Sequence, residues 1–91
     1  METIVLDGAL MPPREQAHSY LAAQLRLPDW YGGNLDALYD LLTERGEPLR
    51  LLVRRPGAVK VALGSYGAAL LAALREAAAE NPALQLAFEE E

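Results

Sequence analysis

Three short apolar runs, residues 3–6, 49–53 and 83–88, are separated by longer stretches in which apolar side chains recur at helical spacing. Asp7-Gly8 closes the first run, Arg54-Arg55-Pro56-Gly57 closes the second, and Asn81-Pro82 precedes the third, so each reads as a strand bounded by turn chemistry. Strands that alternate with helices in a chain of 91 residues predict a small α/β layer around a parallel sheet. Thr3-Ile4-Val5-Leu6 has no polar alternation, which predicts a strand buried on both faces.

The intervening stretches fill in the helical half. Pro12-Pro13 opens a helix running to about Leu25, with Pro13 suited to a first turn. Ala17, Tyr20, Leu21 and Leu25 share a 3.6-residue period that is interrupted by the polar Gln24. Thr43-Glu44-Arg45-Gly46-Glu47-Pro48 reads as a helix terminator and turn. Gly64-Ser65 is expected to cap a long helix over residues 66–80. Leu70, Leu71, Leu74, Ala77 and Ala78 lie on its inward stripe, with Glu76 and Glu80 opposite. Glu89-Glu90-Glu91 reads as a solvated tail, and residues 58–63 are too short to assign by period.

A hydrophobic content of 52% excludes a disordered chain, and residues 1–91 are expected to form a single domain without disulfides or metals. The absence of cysteine removes a thiol nucleophile and any thiolate metal site. A net charge of −5 argues against direct nucleic-acid or anionic-membrane binding and favours a basic partner. Acidic residues stand where a signal peptide would be basic, and no apolar run is long enough to span a membrane, so a cytoplasmic protein is expected.

Catalytic readings find little support. His18 is the sole histidine and sits at the edge of an apolar stripe, where a packing role outweighs general acid–base work without an orienting partner. Ser19 and Ser65 lack a nucleophile-elbow setting, and the glycines form no phosphate-cradling loop. Arg50, Arg54, Arg55 and Lys60 make up the only basic clustering and read as a solvated rim that balances the acids.

The most distinctive stretch is residues 27–42, LPDWYGGNLDALYDLL. Pro28 and the Gly32-Gly33 pair hold a loop, and Asn34 is a strong N-cap for a helix starting at Leu35. Leu35, Leu38, Leu41 and Leu42 gather on one side of that helix; Asp36, Asp40 and Thr43 fall opposite, with Tyr39 at the border. Charge on an exposed helical face is ordinary. Two like charges at i,i+4 spacing beside aromatics, however, suggest a cationic partner.

This stretch resembles the signature of the barstar family, intracellular bacterial inhibitors of a secreted ribonuclease, and Leu74-Arg75-Glu76-Ala77 through Glu80 extends the resemblance. The resemblance implies a three-stranded parallel sheet in sequential order with helices packed on one side, and a short helix over residues 58–63. It also implies a non-enzyme that inhibits a barnase-like, guanyl-type ribonuclease with no cofactor, protecting the producing cell or neutralising a toxin.

Carried over position by position, Asp40 would enter the nuclease active site in place of a substrate phosphate, among the enzyme's arginine, lysine and histidine. Asp36 would pair with a basic residue at the rim. Trp30, Tyr31, Gly32, Gly33, Asn34 and Leu35 would form the adjoining loop contact, and Glu76 and Glu80 would extend the acidic surface. Tyr39 stands where the family carries a tryptophan, Arg45 falls near a second interface aromatic, and the following turn is one residue shorter. A cation there would cost affinity or mark a different cognate enzyme. The alternative is a barstar-fold interaction module for a different basic protein.

Overall fold

A computed structural model describes residues 1–11 and 13–90. Its sheet has three parallel strands in sequential order: β1 (Glu2–Asp7), β2 (Leu49–Arg54) and β3 (Leu84–Glu89). Ile4 is in register with Leu51 and Leu6 with Val53; Leu49 is in register with Leu84. Among the described residues four α-helices accompany the sheet: α1 (Arg14–Leu25), α2 (Leu35–Thr43), α3 (Pro56–Leu63) and α4 (Ser65–Glu80). Two helices follow β1 and two follow β2, in agreement with the α/β expectation, and the sequential order is the one that the resemblance implies.

The sheet is covered on one side only. Ile4, Leu6, Leu49, Leu51, Val53 and Leu84 point into the core with Leu21, Leu25, Leu38, Leu42, Leu70, Leu71 and Leu74. The opposite residues alternate outward, and Val5 is 43% exposed. The expectation that the first strand is buried on both faces is therefore corrected: one face of β1 is open because no helix among the described residues crosses it. An unbroken apolar run carries no information about which face a short chain can afford to cover.

Three further local readings change. The segment expected as an acidic tail begins inside β3: Glu89 is a strand residue in register with Arg54, and the two side chains pair at 3.0 Å. Glu91 of that segment, like Pro12 of the expected helix opening, lies outside the described residues. Ser65 is the first helical residue of α4, and its N-cap, Gly64, makes no side-chain bond, so the expected serine cap is absent. Pro13 takes the N-cap position of α1, one step before the first turn.

The basic cluster is partly engaged by the fold. Arg55 pairs with Asp7 at 2.8 Å, and Arg54 pairs with Glu89. Asp7 also accepts the Ala9 N–H, capping a 3-10 turn at Gly8–Leu10; that bond and the Arg55 contact hold its carboxyl below the usual range, although burial opposes them. Residues 58–63, unassignable by period, lie in α3, whose first helical residue is Pro56. No helix among the described residues is long and apolar enough to cross a membrane.

Candidate partner-binding surface

The surface is built from the loop after α1 and from two helices that pack side by side. Arg26 ends α1 in the left-handed region at φ 54°, and the Leu27 N–H bonds back to the Ala22 carbonyl at 3.0 Å. Pro28 then closes a turn by accepting the Tyr31 N–H at 2.9 Å. Gly33 takes φ +67°, a conformation that costs a residue with a Cβ. Asn34 caps α2 as its sequence setting predicts, its Oδ1 accepting the Ala37 N–H at 2.8 Å.

The cap fixes the rotation of α2 about its axis. Leu38 and Leu42 are buried and Leu35 and Leu41 half-buried, while Asp36, Asp40 and Glu44 face solvent. Thr43, expected on the acid side, is half-buried and bonds its hydroxyl to the carbonyls of Tyr39 and Asp40 at 2.9 and 3.0 Å. Tyr39 lies between the faces, half-buried against the core cluster.

Tyr39 also marks where α2 and α4 meet. Burial pushes its phenol upward, and the charges of Glu80, Glu76 and Asp40 push it further. Those carboxylates thus share one neighbourhood although two of them belong to a helix far along the chain. Glu76 and Glu80 are exposed, opposite buried Leu74 and Ala77. Asp40, Glu76 and Glu80 thus lie around Tyr39, and Asp36 is exposed one turn earlier on α2.

On the loop that leads into α2, Trp30 is 73% exposed, and Gly32, Gly33 and Asn34 are exposed with it. An unpaired indole at the surface is a large apolar group available to a partner. Tyr31 is half-buried instead. Its hydroxyl stands 2.6 Å from His18 Nδ1, and burial raises its ionisation to about 12. Arg45 does not extend the patch: its guanidinium reaches toward Glu2 at 3.6 Å, and Glu2 also pairs with Arg26.

Sequence reasoning missed two polar groups under this surface. His18, read as a packing residue, is 7% exposed and bridges Tyr31 to Tyr66, whose hydroxyl lies 2.5 Å from Nε2. Asn81, read as a helix stop, is equally buried and bonds to the carbonyls of Leu42 and Arg45. A histidine at the border of an apolar stripe was the signal for the first; the second had none. Among the described residues no group of three His, Cys, Asp or Glu side chains is disposed to hold a metal ion. The surface offers charge, flat rings and accessible backbone, which suits recognition.

Comparison with known proteins agrees. The family model for "Barstar (barnase inhibitor)" matches residues 1–89. A protein of Bacillus subtilis (strain 168), named "Putative ribonuclease inhibitor YrdF", is 38% identical over 81 residues, 88% of this chain and 89% of the relative. With a sequential three-stranded parallel sheet, helices on one side of it and a match over nearly its whole length, this chain belongs to the barstar family, a family of inhibitors and not of enzymes.

Proposed function

We propose that this chain, as a single barstar-like domain, inhibits a barnase-like, guanyl-type ribonuclease by seating its acidic helix face in the enzyme's active site. The observation that carries the reading is the convergence of Asp40, Glu76 and Glu80 on Tyr39, with Asp36 one turn away and Trp30 exposed alongside. Clustered carboxylates repel one another in the free protein and gain most when a cationic cleft neutralises them together. A nuclease must hold cations where its substrate's phosphates lie, so carboxylates in their place compete directly.

In this reading Asp40 takes the centre and Asp36 the rim, while Trp30, Tyr31 and the Gly32-Gly33-Asn34-Leu35 segment make the apolar and backbone contact. Tyr39, Glu76 and Glu80 extend the surface toward α4. Binding is one-to-one, in the cytoplasm of a bacterial producer, as a safeguard against a toxic ribonuclease. Arg45 stands 3.6 Å from Glu2, so part of its charge is offset within the chain before any partner meets it.

The test is a titration of the purified protein into a panel of microbial guanyl-type ribonucleases while RNA cleavage is followed. Loss of activity at an equimolar end point is expected for at least one of them. Undiminished cleavage throughout, together with binding to some other basic protein, would replace the inhibitor reading with that of an interaction module.

A further inference from the structure

The loop that carries Trp30 is anchored from beneath by one imidazole. His18 on α1 places Nδ1 2.6 Å from the Tyr31 hydroxyl and Nε2 2.5 Å from the Tyr66 hydroxyl. The His18 ring centroid lies 5.8 Å from that of Tyr31 and 5.9 Å from that of Tyr66, both rings tilted away from stacking, so the contacts are made through the ring nitrogens. Tyr66 is held in turn, since the Arg14 guanidinium carbon stands 3.9 Å above its ring. Three elements therefore meet at His18: α1, the loop and the first turn of α4.

The loop needs such an anchor. Gly32 and Gly33 give it backbone freedom, and Trp30 has most of its surface in water. Tyr31, directly between Trp30 and the glycines, turns inward and ends on His18 Nδ1.

The bridge depends on a neutral ring. Neutral imidazole has one N–H and one bare nitrogen, so in either tautomer one tyrosine hydroxyl accepts from it and the other donates to it. Protonation gives two N–H donors. The hydroxyl that had donated must then turn its hydrogen elsewhere in a site where His18 is 7% exposed. The charged and titratable groups around the ring are Arg14 and Glu15 of its own helix, Tyr31 of the loop and Tyr66 of α4; Arg14 and Glu15 also line an open depression of about 260 Å³ with His18 and Gly33. Burial, and then the Arg14 charge, hold the imidazole below its ordinary value, so the neutral bridge is the folded form at neutral pH.

We infer that His18 is a positioning residue for the partner-binding loop: its neutral ring ties Tyr31 to Tyr66, and protonation releases the loop and weakens ribonuclease binding. This rests on the inhibitor reading for its binding arm. Its structural arm concerns the free protein and stands by itself.

The sole tryptophan, Trp30, reports on the loop directly. Time-resolved anisotropy of its fluorescence is compared in the parent, His18→Gln and Tyr66→Phe between neutral and mildly acidic pH, with the dissociation constant for an inhibited ribonuclease measured on the same samples. Denaturant melts at each pH restrict the comparison to conditions where each variant is folded. Gln offers one donor and one acceptor without titrating, and Phe removes a single hydroxyl while keeping the ring, so both spare the packing that His18→Ala would damage.

In the parent, the rapid motion of Trp30 should grow only as pH falls past the ordinary imidazole range, because burial and Arg14 hold His18 below it, while His18→Gln stays flat. The parent's dissociation constant should rise about 5-fold or more relative to that of His18→Gln over the same interval, the nuclease's own titration cancelling in the ratio. Tyr66→Phe should loosen Trp30 already at neutral pH. Identical Trp30 motion and identical binding profiles in parent and His18→Gln, with Tyr66→Phe unchanged, would overturn the assignment and leave His18 as packing. Should no ribonuclease be bound by the parent, the inhibitor reading fails, while the anisotropy still decides whether His18 holds the loop.

Discussion

Asn81, at the end of α4, caps the far end of α2: its Nδ2 donates to the Leu42 carbonyl at 2.9 Å and to the Arg45 carbonyl at 2.8 Å. Its Oδ1 accepts the Ala83 N–H at 3.0 Å, so one buried amide satisfies three backbone groups at the point where α2, α4 and the approach to β3 converge. The last carbonyls of a helix have no partners inside it, and a buried helix end needs them supplied. The acidic face of α2 is thus pinned at its start by Asn34 and at its end by Asn81.

Replacing Asn81 with Ala should therefore destabilise the protein by about 2–3 kcal/mol, since two carbonyls and one N–H lose a partner in a buried setting. Asn81→Asp should be worse at neutral pH, because a carboxylate has no hydrogen to offer either carbonyl and carries an unpaired charge inward. Denaturant melts of the two variants check the order.

Gly67 makes a separate demand on packing. A Cβ built there would lie 2.4 Å from the Val59 carbonyl oxygen, so α3 and α4 touch through bare backbone. Gly67→Ala should cost about 1–3 kcal/mol by forcing the two helices apart. Gly33, at φ +67°, has nothing within 4 Å of the same built atom, and Gly33→Ala should cost roughly 1–2 kcal/mol from the backbone alone. Thermal melts combined with the chemical shifts of α3 separate the two mechanisms: only the first should disturb Val59.

The contrast between these residues explains what the sequence disclosed. The strand positions, the helix faces and the Asn34 cap depend on neighbours within a few positions, and those were legible from period and capping chemistry, whereas the sequential strand order was implied by the family resemblance. The acid side of α2 followed from the same period. What escaped were contacts between groups far apart in the chain: His18 with Tyr66, Asn81 with Leu42, Arg54 with Glu89. No local pattern encodes them, because they are created when helices and strands settle against one another. The open face of β1 escaped for a related reason, since covering a sheet face is a property of how many helices the chain has to spend and not of the strand itself.

Within the inhibitor reading, Asp40→Ala should weaken ribonuclease binding by at least 2 kcal/mol, a hot-spot scale whose upper extreme was measured on barstar itself and is borrowed here. Truncation removes the attraction and leaves the partner's desolvated cations unpaired. Asp36→Ala and Trp30→Ala should rank below it and above Glu76→Ala and Glu80→Ala, which are exposed on the more distant helix. Competition titrations give the ranking; a loss at Asp40 of under about 1 kcal/mol would move it from the centre of the site.

Association should be fast at low salt and slow steeply as ionic strength rises, because an acidic patch meeting a basic cleft is steered over roughly one Debye length. Dissociation should respond much less, being governed by the contacts already formed. Stopped-flow rates at several salt concentrations check both. Salt-independent association would shift the weight of recognition from the carboxylates to Trp30 and the loop backbone.

The same carboxylates should burden the free protein. Asp40 has Asp36 and Glu44 at i,i±4 spacing on α2, all three exposed, and shares the Tyr39 neighbourhood with Glu76 and Glu80. Neutralising it as Asp40→Asn relieves like-charge pairs at both spacings, for a gain of roughly 0.3–1 kcal/mol, since each such pair costs a few tenths. Asp36→Asn should gain less, because the N-terminal dipole of α2 already favours an anion in the first turn. Salt should erase the difference between parent and Asp40→Asn, as expected of repulsion between exposed charges. Denaturant melts at low and high ionic strength, paired with inhibition assays, check whether stability and function oppose each other at this one residue. A less stable Asp40→Asn would mean that the carboxylate serves the fold, and the centre of the proposed surface would have to be sought elsewhere on the α2–α4 face.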